Sequence, residues 1–446
     1  MSSLRETLER RSAWRVLATL GALVAVTAPS LGSEPWNFRP RPVEPHGMLA
    51  PLVRAADRHW DLGFVRTPAM LAGLLVLAAA LAATRFAMRR WIVGGLALAV
   101  VALLLVPATL LQVGLRDSTV PWHYVNDSTY QIELAGDLVL NGKNPYGHDY
   151  RDTPLMQWYS DVRPQPPQPH VALDHLAYFP GTPLVAAVWR LLPSPLDDIR
   201  MLVMLATLAA FFAVLLFDAR WEWRIAAAAV VAANPLAVRA SWYGTADAPS
   251  LLALILAFAF ATRARYAAAG AALGAAILLK QFALIAVPFL ALLMLHRAAT
   301  RRELARAAAV GAGVLFAGFL PFLVAGPHAL FDDTIVYGGK TYRIVGYGLS
   351  NLLVRAGAVD RFGSYPFVPL LIFVWLPVTA WLLVVQWRSR AAWTSAAGFA
   401  ASAFVLFFLS RVFQTSYLIW PFTGIVLACL LAEEPGRRVT AGNAGV

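Results

Sequence analysis

The chain has 446 residues, of which 59% are hydrophobic and 14% charged, and its mean hydropathy is +0.61. No soluble domain needs that much apolar surface, so the composition excludes a globular cytosolic or secreted fold and predicts an all-α polytopic membrane protein. The formal net charge of +12 is no nucleic-acid footprint, because the arginines punctuate short connections between apolar runs.

In chain order, about twelve windows are long enough, or nearly so, to span as helices. They are 13–31, 67–84, 92–113, 199–217, 225–240, 248–262, 267–279, 282–295, 308–326, 366–386, 391–409 and 417–432. The first has a basic start and the run Val16–Ala28, yet no convincing small-x-small cleavage site follows, so it reads as an anchor. The segment 178–193 is interrupted by Pro180, Pro183 and Pro193 and is expected to dip into the membrane rather than cross it. Five regions result: amino-terminal helices 1–113, a long loop 114–177, a central bundle 178–326, a second loop 327–365, and carboxy-terminal helices with a tail, 366–446.

Basic clusters such as Arg85, Arg89 and Arg90, or Arg297, Arg301 and Arg302, fall on one side if both termini are cytoplasmic. Residues 33–66, with Arg39, Arg41, Arg54, Arg58 and Arg66, are the exception to that bias. The expected location is the plasma (inner) membrane, with both long loops outside. Of these, 114–177 contains Trp122–Tyr150, in which apolar positions of Thr129–Leu140 predict an amphipathic helix lying on the membrane surface. The run Arg163–His170 predicts extended, polyproline-like chain. Lys280–Gln281 is the only polar break between Tyr266 and His296, which predicts a helical hairpin with Lys280 at its outer tip. The single Cys429 reads as a small buried hydrophobe.

The ionisable groups expected outside form a pattern. Asp127 follows His123 by four residues, and Asp247 sits in the short turn Arg239–Pro249. Lys280, Lys340, Arg343 and Arg411 come from separate outer segments. A carboxylate facing a basic pocket suits glycosyl transfer from a lipid-linked sugar phosphate, with the carboxylate as base and the cations on the departing phosphate. Each residue also has a plainer reading. Asp127 and Asp247 are good helix caps, Lys280 is able to snorkel, and Glu133, Asp137 and Asp149 read as solvated faces. His123, His170 and His175 are too scattered to argue for a metal beside Asp127, and no nucleotide loop or cofactor motif is present.

The run NDSTYQIELAGDLVLNGKNPY, from Asn126 to Tyr146, resembles the first outer loop of polyprenyl-phosphate-sugar-dependent glycosyltransferases of the GT-C class. It is most similar to the mannosyltransferases of the actinobacterial cell envelope. Further pieces are Tyr178–Trp189, Asn234–Asp247, Ala268–Pro288 and Ser410–Pro421, so the resemblance covers roughly 115–425 through several weak motifs in order. It implies that Asp127 is the catalytic base of an inverting transfer, with Lys280, Arg343 and Arg411 on the donor phosphate. Tyr130, Asp247, His123 and Tyr417 would position sugar or acceptor. The implied partners are a lipid-linked sugar donor, a glycolipid or glycan acceptor and membrane lipids, with no nucleic acid and no firmly implied cofactor. The chain departs from the family in having two spans before the one leading to Asp127, and in its proline-rich insert. A transporter or lipid flippase, or an arabinofuranosyl or protein O-mannosyl transferase of the same architecture, remain the alternatives.

Overall fold

Apolar runs fold as helices because only a helix satisfies each backbone N–H and C=O within its own segment. The computed structural model describes residues 2–31, 41–56, 62–120, 125–159 and 172–433. The insert Arg163–His170 lies outside them. The chain opens with α1 (Ser2–Thr27), the short α2 (Ala50–Ala55), α3 (Leu62–Ala83) and α4 (Arg90–Asp117). Next come α5 (Asp127–Leu140) and α6 (Gly181–Trp189). The central bundle is α7 (Ile199–Val214), α8 (Trp221–Ala233), α9 (Pro235–Arg239), α10 (Ala248–Thr262), α11 (Tyr266–Leu279), α12 (Val287–His296) and α13 (Arg301–Ala325). The chain then runs through α14 (Pro327–Phe331), α15 (Leu349–Arg355), α16 (Phe367–Leu370), α17 (Leu376–Ser389), α18 (Trp393–Leu409) and α19 (Ile419–Ala432).

Among the described residues, seven helical stretches are long and apolar enough to cross a membrane, and shorter apolar helices occupy the other predicted windows. The protein is thus an all-α polytopic membrane protein. The segment 178–193 forms only α6, whose nine residues reach less than half the thickness of a bilayer core. It packs instead on α5, so closely that a Cβ on Gly136 would lie 2.8 Å from the Ala186 carbonyl carbon. Helices α11 and α13 touch in the same way. A Cβ on Gly270 would sit 2.0 Å from the Ala307 oxygen, so the crossing needs glycine.

Helix α5 forms where the amphipathic pattern predicts it, but it does not lie on a surface. Thr129 through Glu133, with Ala135 and Gly136, are all buried. The reason is a cluster of four charges. Arg116, at the end of α4, donates Nη1 and Nη2 to Glu133 at 3.0 and 2.7 Å, and Nη1 also reaches Asp198 Oδ2 at 2.9 Å. Arg200 Nη2 donates to the same Asp198 oxygen at 2.7 Å. Glu133 is therefore an interior counter-ion that locks α4, α5 and α7 together, not a solvated face. Asp137 is half-exposed and accepts from Arg190 at 3.0 Å, while Asp149 is exposed beside Arg151.

Bundle ends carry different chemistry. Connectivity puts the arginine-rich turns at 85–90, 220–224, 263–265, 297–306 and 388–390 at one end, where Arg220 pairs with Glu433 at 2.7 Å. The long segments emerge at the other end, tied by a short parallel pairing of Val345–Gly346 with Val412–Phe413. Helix α17 is attached most lightly, with few buried residues. Three side chains on this stretch, Trp375, Thr379 and Gln386, hold it through hydrogen bonds to Ser402 and the Phe289 carbonyl. Cys429 is exposed on α19, not buried, because that helix turns one face outward.

Removing one member of a buried ion network leaves its partner uncompensated, at a cost of about 3–5 kcal/mol. Glu133→Ala should therefore lower the thermal unfolding temperature sharply in detergent or nanodiscs. Unchanged stability would show that the cluster does not hold these helices.

Candidate functional site

The end of the bundle opposite the arginine-rich turns encloses a cavity of about 670 Å³, a size suited to a small ligand or a lipid head group. Its wall is assembled from the start of α5, the segment after α9, the α11–α12 hinge, the 337–361 region and the 412–417 connection. Five cations line it, Arg239, Lys280, Arg343, Arg355 and Arg361, against two carboxylates, Asp127 and Asp247.

Asp127 is the first helical residue of α5. Asn126 takes the cap position, its side chain accepting from the Ser128 N–H at 2.9 Å. Asp127 is thus free of the capping role, although its own Oδ1 also accepts from Ser128 N at 2.8 Å. The helix start is pinned by the Asn126 N–H on the Tyr243 carbonyl at 3.0 Å and by the Thr129 hydroxyl on the Gly244 carbonyl. Tyr159 donates its hydroxyl to Asp127 Oδ2 at 2.7 Å. Burial, with the Asp127 carboxylate beside it, pushes the Tyr159 phenol well above its ordinary value and keeps it a donor. Nothing in the sequence pattern around Tyr159 marks it.

Asp247 does not cap α10 by its side chain. It is 2% exposed, accepts from Trp420 Nε1 at 3.0 Å and lies 3.4 Å from Lys280 Nζ. Lys280 stands in the break between α11 and the turn leading to α12, and only 6% of it is exposed. It does not snorkel. Its ammonium lies 4.6 Å from the Tyr178 ring centroid. Burial would lower that ammonium, but Asp247 and Tyr178 outweigh it and hold it above its ordinary value.

The cavity therefore brings together Asp127, Asp247, Lys280, Arg343 and Tyr417. Three candidate residues, Tyr130, Arg411 and Lys340, are not in its wall. Tyr130 is buried behind α5, its ring 5.3 Å from the Arg116 guanidinium and 5.2 Å from Trp158. Arg411 is 2% exposed and donates to the carbonyls of Tyr342 and Gly363 at 2.9 and 3.1 Å, so it pins the loop bearing Arg343 from behind. Lys340 is exposed and outside the wall, and His123 lies outside the described residues, as does His170. His175 pairs with Asp333 at 2.8 Å and stacks on Tyr337. Asp333 also accepts the backbone N–H of Gly147 and Leu176, joining three outer segments under the cavity. Among the described residues, no group of three or more His, Cys, Asp or Glu is placed to hold a metal ion.

Arg355 and Arg361 are exposed at the mouth, and among the described residues neither has an acidic partner. The sequence pattern singled out neither. No protein-family model matches the chain, and no curated protein or solved structure is significantly similar to it. Fold and site thus define a polytopic membrane protein with an aromatic, mostly cationic cavity at one end of its bundle.

Arg411→Lys keeps the charge but loses the planar fork on two carbonyls, and hydrogen bonds from charged donors contribute about 1.5–3 kcal/mol. We expect a measurable fall in thermal stability. A variant as stable as the parent would show that Arg411 does not pin that loop.

Proposed function

We propose that this protein is an inverting glycosyltransferase of the GT-C class that moves a sugar from a polyprenyl monophosphate carrier to a hydroxyl of a cell-envelope glycolipid or glycan. Mannose is the expected sugar. The observation that carries this reading is the shared cavity, in which a hydrogen-bonded carboxylate and an arginine-rich wall face one space at the end of a membrane bundle. Asp127 takes the proton of the attacking hydroxyl as that oxygen bonds to the anomeric carbon. The bond from that carbon to the phosphate oxygen breaks, and polyprenyl phosphate leaves with the electron pair. Arg343, Arg355 and Arg361 hold the departing anion. Lys280 contributes less there, because Asp247 already neutralises it.

In this reading all twelve apolar helices cross the plasma membrane, both termini are cytoplasmic and the cavity opens outside, where a lipid-linked donor replaces a nucleotide sugar. The gathering of charge at the helix ends favours chemistry over transport, since transporters carry their ionisable groups near the bilayer midplane.

The test is transfer of labelled mannose from polyprenyl phosphate mannose to a lipid extract, using the protein in nanodiscs. Asp127→Asn should lower turnover by about 10²–10⁴-fold, the usual contribution of a general base, with donor binding kept. Full activity in that variant would end the mechanism. Replacing Arg355 and Arg361 together with glutamine should weaken donor binding about tenfold or more and flatten its salt dependence. Unaltered binding would remove them from the phosphate site.

A further inference from the structure

We infer that Asp247 and Lys280 form the subsite that reads the hydroxyl groups of the transferred sugar, so that they set donor specificity instead of holding phosphate. The inference rests on the glycosyltransferase reading above and deepens it.

The pair is nearly sealed by protein, yet both residues line the cavity. An isolated buried lysine would be a strong anion site. This one has a carboxylate 3.4 Å away, which would repel an incoming phosphate. A hydroxyl both donates and accepts, and a carboxylate oxygen beside an ammonium offers it an acceptor and a donor at one place. Trp420 Nε1 and Lys280 Nζ both engage Oδ1 of Asp247. Among the described residues no hydrogen bond to Oδ2 is found, and Asp247 lines the cavity. It is the oxygen left for a ligand.

The surroundings suit a neutral ring as well. Tyr178 lies beneath the ammonium, and Tyr417, backed by Phe282 with ring centroids 4.9 Å apart, also lines the cavity, giving aromatic walls beside the polar pair. Tyr178 also joins this subsite to the base, because it lines the same cavity wall as Ser128, the neighbour of Asp127. A sugar held at Asp247 and Lys280 would therefore have its reactive carbon within the neighbourhood of Asp127, while its phosphate extends toward the arginines at the mouth. The ligand class is a neutral pyranose with free hydroxyls. A site built to pair with a hydroxyl rejects a ligand lacking it strongly, because its buried polar groups are then left unpaired.

The experiment is equilibrium binding of two probes, polyprenyl phosphate mannose and bare polyprenyl phosphate, to the full chain in nanodiscs. The proteins are the parent, Asp247→Asn, and the double variant Asp247→Asn with Lys280→Gln. The double variant removes both charges together, so no buried ion is stranded if the single variant folds poorly, and thermal unfolding verifies each protein. We expect the variants to bind the glycosylated lipid at least tenfold more weakly and the bare lipid within twofold of the parent. Equal loss of both probes would assign the pair to phosphate and overturn the inference. It is also overturned if the parent binds both probes equally, or if the double variant binds the glycosylated lipid as tightly as the parent. Binding of neither probe by the parent is a different failure, that of the glycosyltransferase reading itself.

Discussion

Four buried charges, Arg116, Glu133, Asp198 and Arg200, are the constraint on which the cavity end of the molecule depends. All four are buried, so each is tolerable only while the others stay in place. That mutual dependence fixes the end of α4, the start of α7 and the rotation of α5 at once. Glu133 and Asp127 share α5, so the cluster also determines the direction in which Asp127 faces. The Arg116 guanidinium lies over the Tyr130 ring, which accounts for that tyrosine being turned from the cavity. The Ile199 N–H donates to the Glu133 carboxylate, and Trp189 Nε1 donates to the Asp198 backbone carbonyl.

The segments that bound the cavity use a similar logic with weaker parts. Asp333 gathers Gly147, His175 and Leu176, and Arg411 gathers Tyr342 and Gly363. In both cases one charged side chain satisfies backbone groups or side chains from strands of sequence with little regular structure of their own. This lets irregular chain form a defined wall without a separate soluble domain. The groups that face inward can then be chosen for a ligand, because others, set behind them, hold the wall.

Much of the fold was legible because hydropathy and helix length are both properties of a single stretch of sequence. The predicted apolar windows coincide with apolar helices, and the break at Lys280 was visible as one polar pair in a long apolar run. What a single stretch does not encode is rotation about the helix axis and the identity of a distant partner. Glu133 looks like one more polar residue of an amphipathic helix until Arg116 is brought against it. Asp247 next to Ala248 and Pro249 has the pattern of a cap, and only the packing of α11 and α19 reveals Lys280 and Trp420 as its partners. Arg411 and Arg355 are equally basic in sequence, yet one faces carbonyls and the other the cavity mouth. Tyr159 carries no signal at all, since its role is defined by an aspartate in another segment.

The light attachment of α17 has a consequence for how the protein meets its surroundings. In lipid, apolar side chains gain little by choosing protein over acyl chains, so the hydrophobic effect does not clamp this helix to the bundle. Its position instead depends on a few hydrogen bonds through Ser402 and the Phe289 carbonyl. Thickness or lateral pressure in the bilayer would therefore act on α17 before it acts on the charge-locked helices around the cavity. The molecule combines a stiff polar end with a compliant flank, and the flank is where the membrane itself becomes part of its mechanics.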